Sequence, residues 1–195
     1  MASDSGKIGD IYMKKSALYV AADAGRCTGC KACELACFAE HNHTSNRVGK
    51  TVGTATVPVT AGLYLVKGDG LCLPIQCKHC EDAPCLHACA RRAIVRVDGQ
   101  IIINEERCIG CRDCIMACPF GAVTIAPVFA KGEPVNLPGS SLQRKAATKC
   151  DLCIGKEGGP ACVRTCPNKA LRVVDADEER AAKSLKAAEA LMLPK

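Results

Sequence analysis

Cysteine spacing constrains this chain more than any other feature. Cys27, Cys30, Cys33 and Cys37 lie in RCTGCKACELAC; Cys77, Cys80, Cys85 and Cys89 in QCKHCEDAPCLHAC. Cys108, Cys111, Cys114 and Cys118 lie in RCIGCRDCIMACP, and Cys150, Cys153, Cys162 and Cys166 in KCDLCIGKEGGPACVRTCP. Four groups of four leave Cys72 over from a total of 17 cysteines in 195 residues. Groups one and three agree at the arginine, all four cysteines, the glycine and the alanine before the last cysteine. Groups two and four share C-x2-C, a longer gap holding Pro84 or Pro160, then C-x3-C. The order A, B, A′, B′ points to duplication of a two-motif unit.

Thiols this dense act either as disulfides or as metal ligands. MASDSGKIGDIYMKKSALYV has no charged start followed by an apolar run and a cleavage site, and no apolar run of spanning length follows. The expectation is therefore a cytoplasmic protein with reduced, metal-binding cysteines. Trp is absent and there are three Phe and three Tyr, so large side chains are scarce for a core. Something else must fill the interior.

In C-x2-C-x2-C, three thiolates spaced three apart wrap one corner of a cube and ligate three of its four irons. A fourth ligand must then come from elsewhere in the chain. Cys118, starting down a helix that leads away from that corner, points at a second cluster. Cys108 to Pro119 matches the C-x2-C-x2-C-x3-C-P run of bacterial two-cluster ferredoxins, where this exchange is the rule. Zinc sites use two C-x2-4-C pairs, which groups two and four could imitate, but a third cysteine three residues later has no place in that pairing. The formal charge of +6 invites a nucleic-acid reading. Four cubanes at about −2 each would turn it to about −2, so the excess of Lys and Arg offsets the cofactors instead.

Between the groups, SALYVAADA, Ala93 to Ile103, Gly121 to Val128 and Ala170 to Val174 read as short strands, with a hairpin turn at Asp98-Gly99. Lys31 to Phe38, Pro84 to Arg91 and Arg112 to Ala117 read as short helices ending at the last cysteine of their group. Ala39 to Lys67 and Pro127 to Lys149, rich in Gly, Pro, Thr, Asn and Ser, read as surface loops. The tail, residues 176–195, reads as an amphipathic helix whose stripe Ala181, Leu185, Ala188 and Met192 is expected to pack on its own protein, with docking to a partner as the alternative.

ERCIGCRDCIMACPFGA, QCKHCEDAPC and TKCDLCIGKEGGPACVRTCPNKAL resemble the four-cluster ferredoxin-type subunits of formate dehydrogenases, formate hydrogenlyase, carbon monoxide dehydrogenase and dimethyl sulfoxide reductase-type enzymes. The resemblance runs from about Tyr19 to Asp175. It implies an α+β fold of two pseudo-repeated ferredoxin-like halves, one from residues 17–38 with 145–175 and one from 72–128, joined by loops at 39–71 and 129–144. It implies four [4Fe-4S] clusters. One takes Cys27, Cys30, Cys33 and Cys166, and its neighbour Cys37, Cys150, Cys153 and Cys162. A third takes Cys77, Cys80, Cys85 and Cys118, and a fourth Cys89, Cys108, Cys111 and Cys114. Spacing alone equally permits pairing of groups one with two and three with four. Two departures bear on turn geometry: Phe38 follows Cys37 and Ala90 follows Cys89, where such motifs commonly have proline.

The function implied is electron relay to a catalytic subunit of formate dehydrogenase, hydrogenase or carbon monoxide dehydrogenase type, with a second redox partner. A free polyferredoxin and a zinc-binding nucleic-acid module are the alternatives. No nucleotide loop, nucleophile elbow or carboxylate pair suggests an enzyme. If clusters replace the core, the apoprotein is expected to be largely unfolded. Cys72 reads as a small buried hydrophobe. His79 and His87 read as structural or solvent-facing, with hydrogen bonds to a cluster as the sharper option, and His41 and His43 as loop residues without a third ligand.

Overall fold

The computed structural model describes residues 17–45, 60–130 and 133–192; for 42–45 it describes the helix only. The fold is α+β, built among the described residues from short antiparallel pairs, three single-turn helices and two longer ones. In chain order the elements are β1 (Leu18–Ala22), α1 (Ala32–Ser45), β2 (Leu63–Gly68), β3 (Leu71–Gln76), α2 (Pro84–His87), β4 (Ile94–Val97) and β5 (Gln100–Ile103). There follow α3 (Asp113–Ala117), β6 (Thr124–Pro127), β7 (Phe129–Ala130), β8 (Glu133–Pro134), β9 (Lys145–Thr148), α4 (Ala161–Thr165), β10 (Leu171–Asp175) and α5 (Ala176–Leu191).

The strands pair as β1–β10, β2–β3, β4–β5, β6–β9 and β7–β8, all antiparallel. The β4–β5 hairpin forms at the expected Asp98-Gly99, both at positive φ (49° and 83°), as a two-residue turn matching strand twist requires. β1–β10 joins the two ends of the described chain. β6–β9 ties residues from the 72–128 segment to residues from 145–175, so the two segments share a strand pair.

Two buried clusters form the core. Val20, Leu63, Leu171 and Leu152 pack with Cys33, Cys37, Cys150 and Cys162. Ile94, Ile101, Val123 and Ala147 pack with Cys85 and Cys114, and Cys118 lies against both clusters. Cysteines thus occupy core positions that aromatic residues would fill in an ordinary domain.

Several expectations need correction. The segment 39–71 is not simply a loop: α1 continues to Ser45, and β2 and β3 form a hairpin, while 46–59 lie outside the described residues. The segment 129–144 is a β-arm, with β7–β8, a bridge between Asn136 and Gln143, and a Val135 N–H bond to Val128 O at 2.9 Å. Helix α4, opened by Pro160, has no counterpart among the expected helices, and α2 stops after one turn. The tail is helical as expected, its N-terminus capped by Asp175 Oδ1 accepting from Asp177 N–H (2.8 Å) and Glu178 N–H (3.3 Å). Its stripe does not pack on the protein: α5 buries no residue, and Leu185, Leu191 and Met192 are exposed.

Candidate metal centres

Each cysteine group begins with the same backbone turn. The residue two after the first cysteine adopts the left-handed conformation in all four: Gly29 (φ 72°), His79 (48°), Gly110 (73°) and Leu152 (59°). A left-handed residue at that position turns backbone N–H groups toward one concavity, which suits an anionic guest. At Gly110 a side chain would also meet a steric limit: a Cβ would stand 2.9 Å from Lys145 O.

The turns bring thiols from different groups together. Cys77, Cys80 and Cys85 line a hollow with Cys118, walled by Ile101, Phe120 and Val123. Cys108, Cys111 and Cys114 line a second with Cys89, walled by Ile94, Ile103 and Ile125. Cys162 has Cys37, Cys153 and Cys33 as its electrostatic neighbours, and Cys150 has Cys162 and Cys37. Cys33 and Cys166 join the same core cluster, and Asn168 Nδ2 donates to Thr28 Oγ1 (2.9 Å), tying the turn after Cys166 to the loop of Cys27 and Cys30. Helix α1 packs on α4 and α2 on α3.

Backbone amides are aimed at the sulfurs. The last cysteine of groups two, three and four accepts from the N–H four residues on: Ala93 to Cys89 (3.3 Å), Ala122 to Cys118 (3.4 Å) and Ala170 to Cys166 (3.2 Å). The same turn makes each possible, with the cysteine carbonyl accepting from residue i+3, itself left-handed: Arg92, Gly121 and Lys169. Ala90 after Cys89 therefore does not upset the turn. Ala147 N–H reaches Cys108 Sγ (3.3 Å), His79 N–H reaches Cys77 Sγ (3.4 Å) and Leu152 N–H reaches Cys150 Sγ (3.4 Å). Cys37 is different. With Phe38 in place of a proline, α1 runs on, and Cys37 Sγ is met by Gly62 N–H (3.3 Å) and by His41 Nδ1 (3.7 Å).

As thiols these cysteines resist ionisation. Burial pushes Cys33 and Cys114 up to about 11 and Cys162 up to about 12, with neighbouring thiols adding to the push on Cys114 and Cys162; Cys150 is raised still further, chiefly by burial. Buried sulfurs this close, each facing N–H donors, gain nothing as neutral thiols and repel one another as thiolates. Iron supplies the missing positive charge and the N–H donors satisfy the sulfurs, so the residues fit an iron–sulfur cluster. All 17 cysteines are free of disulfides.

Nearby polar groups were only partly foreseen. His79 is fully buried; its Nδ1 accepts from Ile101 N–H (3.0 Å) and its Nε2 has no hydrogen-bond partner. Burial, then Lys149, depress it to about 3, so the ring is neutral. His87 is exposed and pairs with Asp82 (3.0 Å). Cys72 is half-buried rather than buried, and a Cβ on Gly29 would stand 2.5 Å from its Sγ, so it rims group one. His41 is no loop residue: it sits on α1 with Nε2 at 2.9 and 3.1 Å from the Asp151 oxygens. The bonds to Asp151, then Cys37, raise it to about 11; burial pushes Asp151 up, but the bond from His41, the His41 charge and the Cys153 N–H together lower it. Ligand atoms of His41, Asp151 and Cys153 lie within 4.8 Å of one another. Asp151 also accepts from Cys153 N–H (2.9 Å), so the trio reads as a hydrogen-bonded brace. Its one visible trace in the sequence is the acidic residue inside KCDLC. The side chain of His43 lies outside the described residues.

Residues 69–176 match the family model of a 4Fe-4S dicluster domain. Among curated proteins, the chain is 41% identical to an iron-sulfur protein of Rhodospirillum rubrum, over 86% of this chain and 87% of that one. It is 38% identical to the electron transport protein HydN of Escherichia coli (strain K12), over 80% and 87%. It is 37% identical to formate hydrogenlyase subunit 2 of the same strain, over 80% and 81%.

Proposed function

The chain belongs to the family of 4Fe-4S dicluster-domain electron-transfer proteins, and from that premise we propose that it holds four [4Fe-4S] clusters as a single relay between two redox partners. The ligands are Cys27, Cys30, Cys33 and Cys166 for cluster 1, and Cys37, Cys150, Cys153 and Cys162 for cluster 2. Cluster 3 takes Cys77, Cys80, Cys85 and Cys118, and cluster 4 takes Cys89, Cys108, Cys111 and Cys114. The observation that carries this reading is the pair of hollows, each lined by three thiols of one group and the last thiol of another. Packing of α1 on α4 and of α2 on α3 favours joining groups one with four and two with three. It likewise favours two ferredoxin-like halves, 17–38 with 145–175 and 72–128.

When bound, each cluster takes up and gives away one electron at a potential that hydrogen bonding and solvent exposure set. The chain's residues do the rest. Lys78, half-buried, feels both Cys77 and Cys150, so ligands of clusters 2 and 3 flank one ammonium. Its Nζ donates to Val20 O (3.4 Å) and rests 4.6 Å from the Tyr19 ring centroid, fixing that charge in place. Cys30 and Cys111 are the exposed cysteines of the sixteen ligands, one in cluster 1 and one in cluster 4. Those clusters therefore make the two ends, where partners exchange electrons through solvent-facing sulfur, and the order is 1, 2, 3, 4. Four cysteines on every cluster leave no iron for a substrate, which makes the chain a carrier and not a catalyst.

The relatives' names favour a formate hydrogenlyase-type catalytic subunit as one partner. The uncovered stripe of α5 supplies a docking face. Among the described residues no helix is long and apolar enough to cross a membrane; cytoplasmic placement is the reading favoured by cysteines that serve as metal-ligating thiols. Anaerobic reductive titration followed by electron paramagnetic resonance tests the proposal. It should show uptake of about four electrons per chain with spectra broadened by neighbouring spins. Uptake of about two electrons, or isolated narrow signals at full reduction, would overturn it.

A further inference from the structure

Cys37 breaks the pattern of the other fourth cysteines, and the break has a specific chemical content. At Cys89, Cys118 and Cys166 the sulfur is held by the backbone N–H at i+4, supplied by a left-handed turn after the cysteine. Those donors belong to the main chain and are the same whatever side chain stands there. After Cys37 the helix continues through Glu40 and His41 to Ser45, so the backbone N–H at i+4 is not released toward the sulfur. A side chain at the same offset stands there instead.

His41 Nδ1 is 2.8 Å from Cys37 O and 3.7 Å from Cys37 Sγ. A carbonyl oxygen only accepts, so Nδ1 must carry the hydrogen, and that N–H is shared between the oxygen and the sulfur. This holds whether the ring is neutral or charged. The far nitrogen is gripped by Asp151, whose own position is set by Cys153 N–H (2.9 Å). The end of α1 is pinned as well, by Lys156 Nζ on Glu40 O (2.7 Å) and Arg164 on the Glu40 carboxylate (2.9 Å). The ring is therefore aimed, and not merely near.

We propose that His41, oriented by Asp151, is a positioning residue that donates a hydrogen bond to the Cys37 sulfur and thereby sets the reduction potential of cluster 2 apart from those of the other three clusters. A donor to a ligand sulfur stabilises the more negative, reduced cluster and raises its potential. Gly62 N–H also reaches this sulfur (3.3 Å), so His41 adds a side-chain donor to a backbone one, and the side-chain donor is the one that a substitution can remove. The inference rests on Cys37 being a ligand of cluster 2.

The test uses the full chain purified anaerobically, with iron content and a redox titration monitored by electron paramagnetic resonance. His41→Leu, which removes the donor and keeps bulk, should retain full iron content and move one signal alone to lower potential. The expected change is about tenfold in its reduction equilibrium, which is about 59 mV for one electron. His41→Asn, which places an N–H near the Nδ1 position, should move that signal back toward the native value. Unchanged potentials in His41→Leu, or a common shift of all signals, would overturn the role given to His41. Cys37→Ala reports separately on the ligand assignment: full iron content and all native signals in that variant would overturn the assignment itself.

Discussion

Replacing Gly110 by alanine tests whether the cysteine turns and the strands behind them form one rigid unit. Gly110 lies between Cys108 and Cys111 at φ 73°, where an L-residue costs about 1–2 kcal/mol. Its new Cβ would also stand 2.9 Å from Lys145 O, whereas ordinary contact begins at 3.4 Å, so β9 or the turn must retreat by about 0.5 Å. Lys145 O belongs to a paired strand, and two residues on Ala147 N–H holds Cys108 Sγ, so the retreat is transmitted to a proposed ligand. Overpacking of this kind costs about 1–3 kcal/mol, for a total of about 2–5 kcal/mol.

Gly70 supplies the control, because it has φ 71° and nothing within 4 Å of an added Cβ. Gly70→Ala should bear the conformational cost alone. Cluster loss is irreversible, so the assay is the rate of bleaching of the visible absorbance in mild denaturant. If the overlap is relieved on the way to loss, its cost of about 1–3 kcal/mol makes Gly110→Ala faster than Gly70→Ala by roughly 5- to 150-fold. Equal rates for the two variants would refute the coupling between β9 and the group-three turn.

Ile101, exposed by 1% and packed at the centre of the second core cluster, should lose about 2–5 kcal/mol on truncation to alanine, seen as a lower denaturation midpoint; a change under about 0.5 kcal/mol would mean that the hollow, not the side chain, dominates there. His79 is depressed from its ordinary 6.5 to about 3, so between those values the folded protein binds fewer protons than the unfolded chain. Its contribution is therefore full above pH 6.5 and is lost as pH falls toward 3. His79→Asn, which keeps an acceptor for Ile101 N–H but cannot protonate, should flatten the acid acceleration of bleaching; an unaltered pH slope would contradict this. Deleting residues 176–195 should leave the cluster spectrum and thermal midpoint unchanged, since α5 buries nothing and its ion pairs, Arg172–Glu179 and Arg180–Glu81, lie at the surface.

The sequence was most legible where local chemistry is decisive. Asp98-Gly99 specified its hairpin because both turn positions need positive φ, and Pro119 and Pro167 follow cysteines that leave their helices in extended conformation. Cysteine spacing fixed the grouping but not which groups meet, since that depends on helices α1 and α4, more than a hundred residues apart. The β2–β3 hairpin turns at Asp69-Gly70, a dipeptide of the same kind, but Pro74 within β3 and the glycine- and proline-rich stretch before it obscured the strands, and similar composition obscured the β-arm at 129–144. His41 was missed because its partner Asp151 is 110 positions away and because an absent proline at 38 lets α1 carry the ring to the sulfur. The tail's helical period was visible, but a period does not say whether its apolar stripe is covered.

Iron and acid-labile sulfide per chain, counted in anaerobically purified protein, bear most directly on the account as a whole. If the sixteen thiols form the four proposed ligand sets, the chain should hold about 16 iron and about 16 sulfide. About 8 of each, or zinc in their place, would contradict four clusters and with them the unbroken path from Cys30 to Cys111.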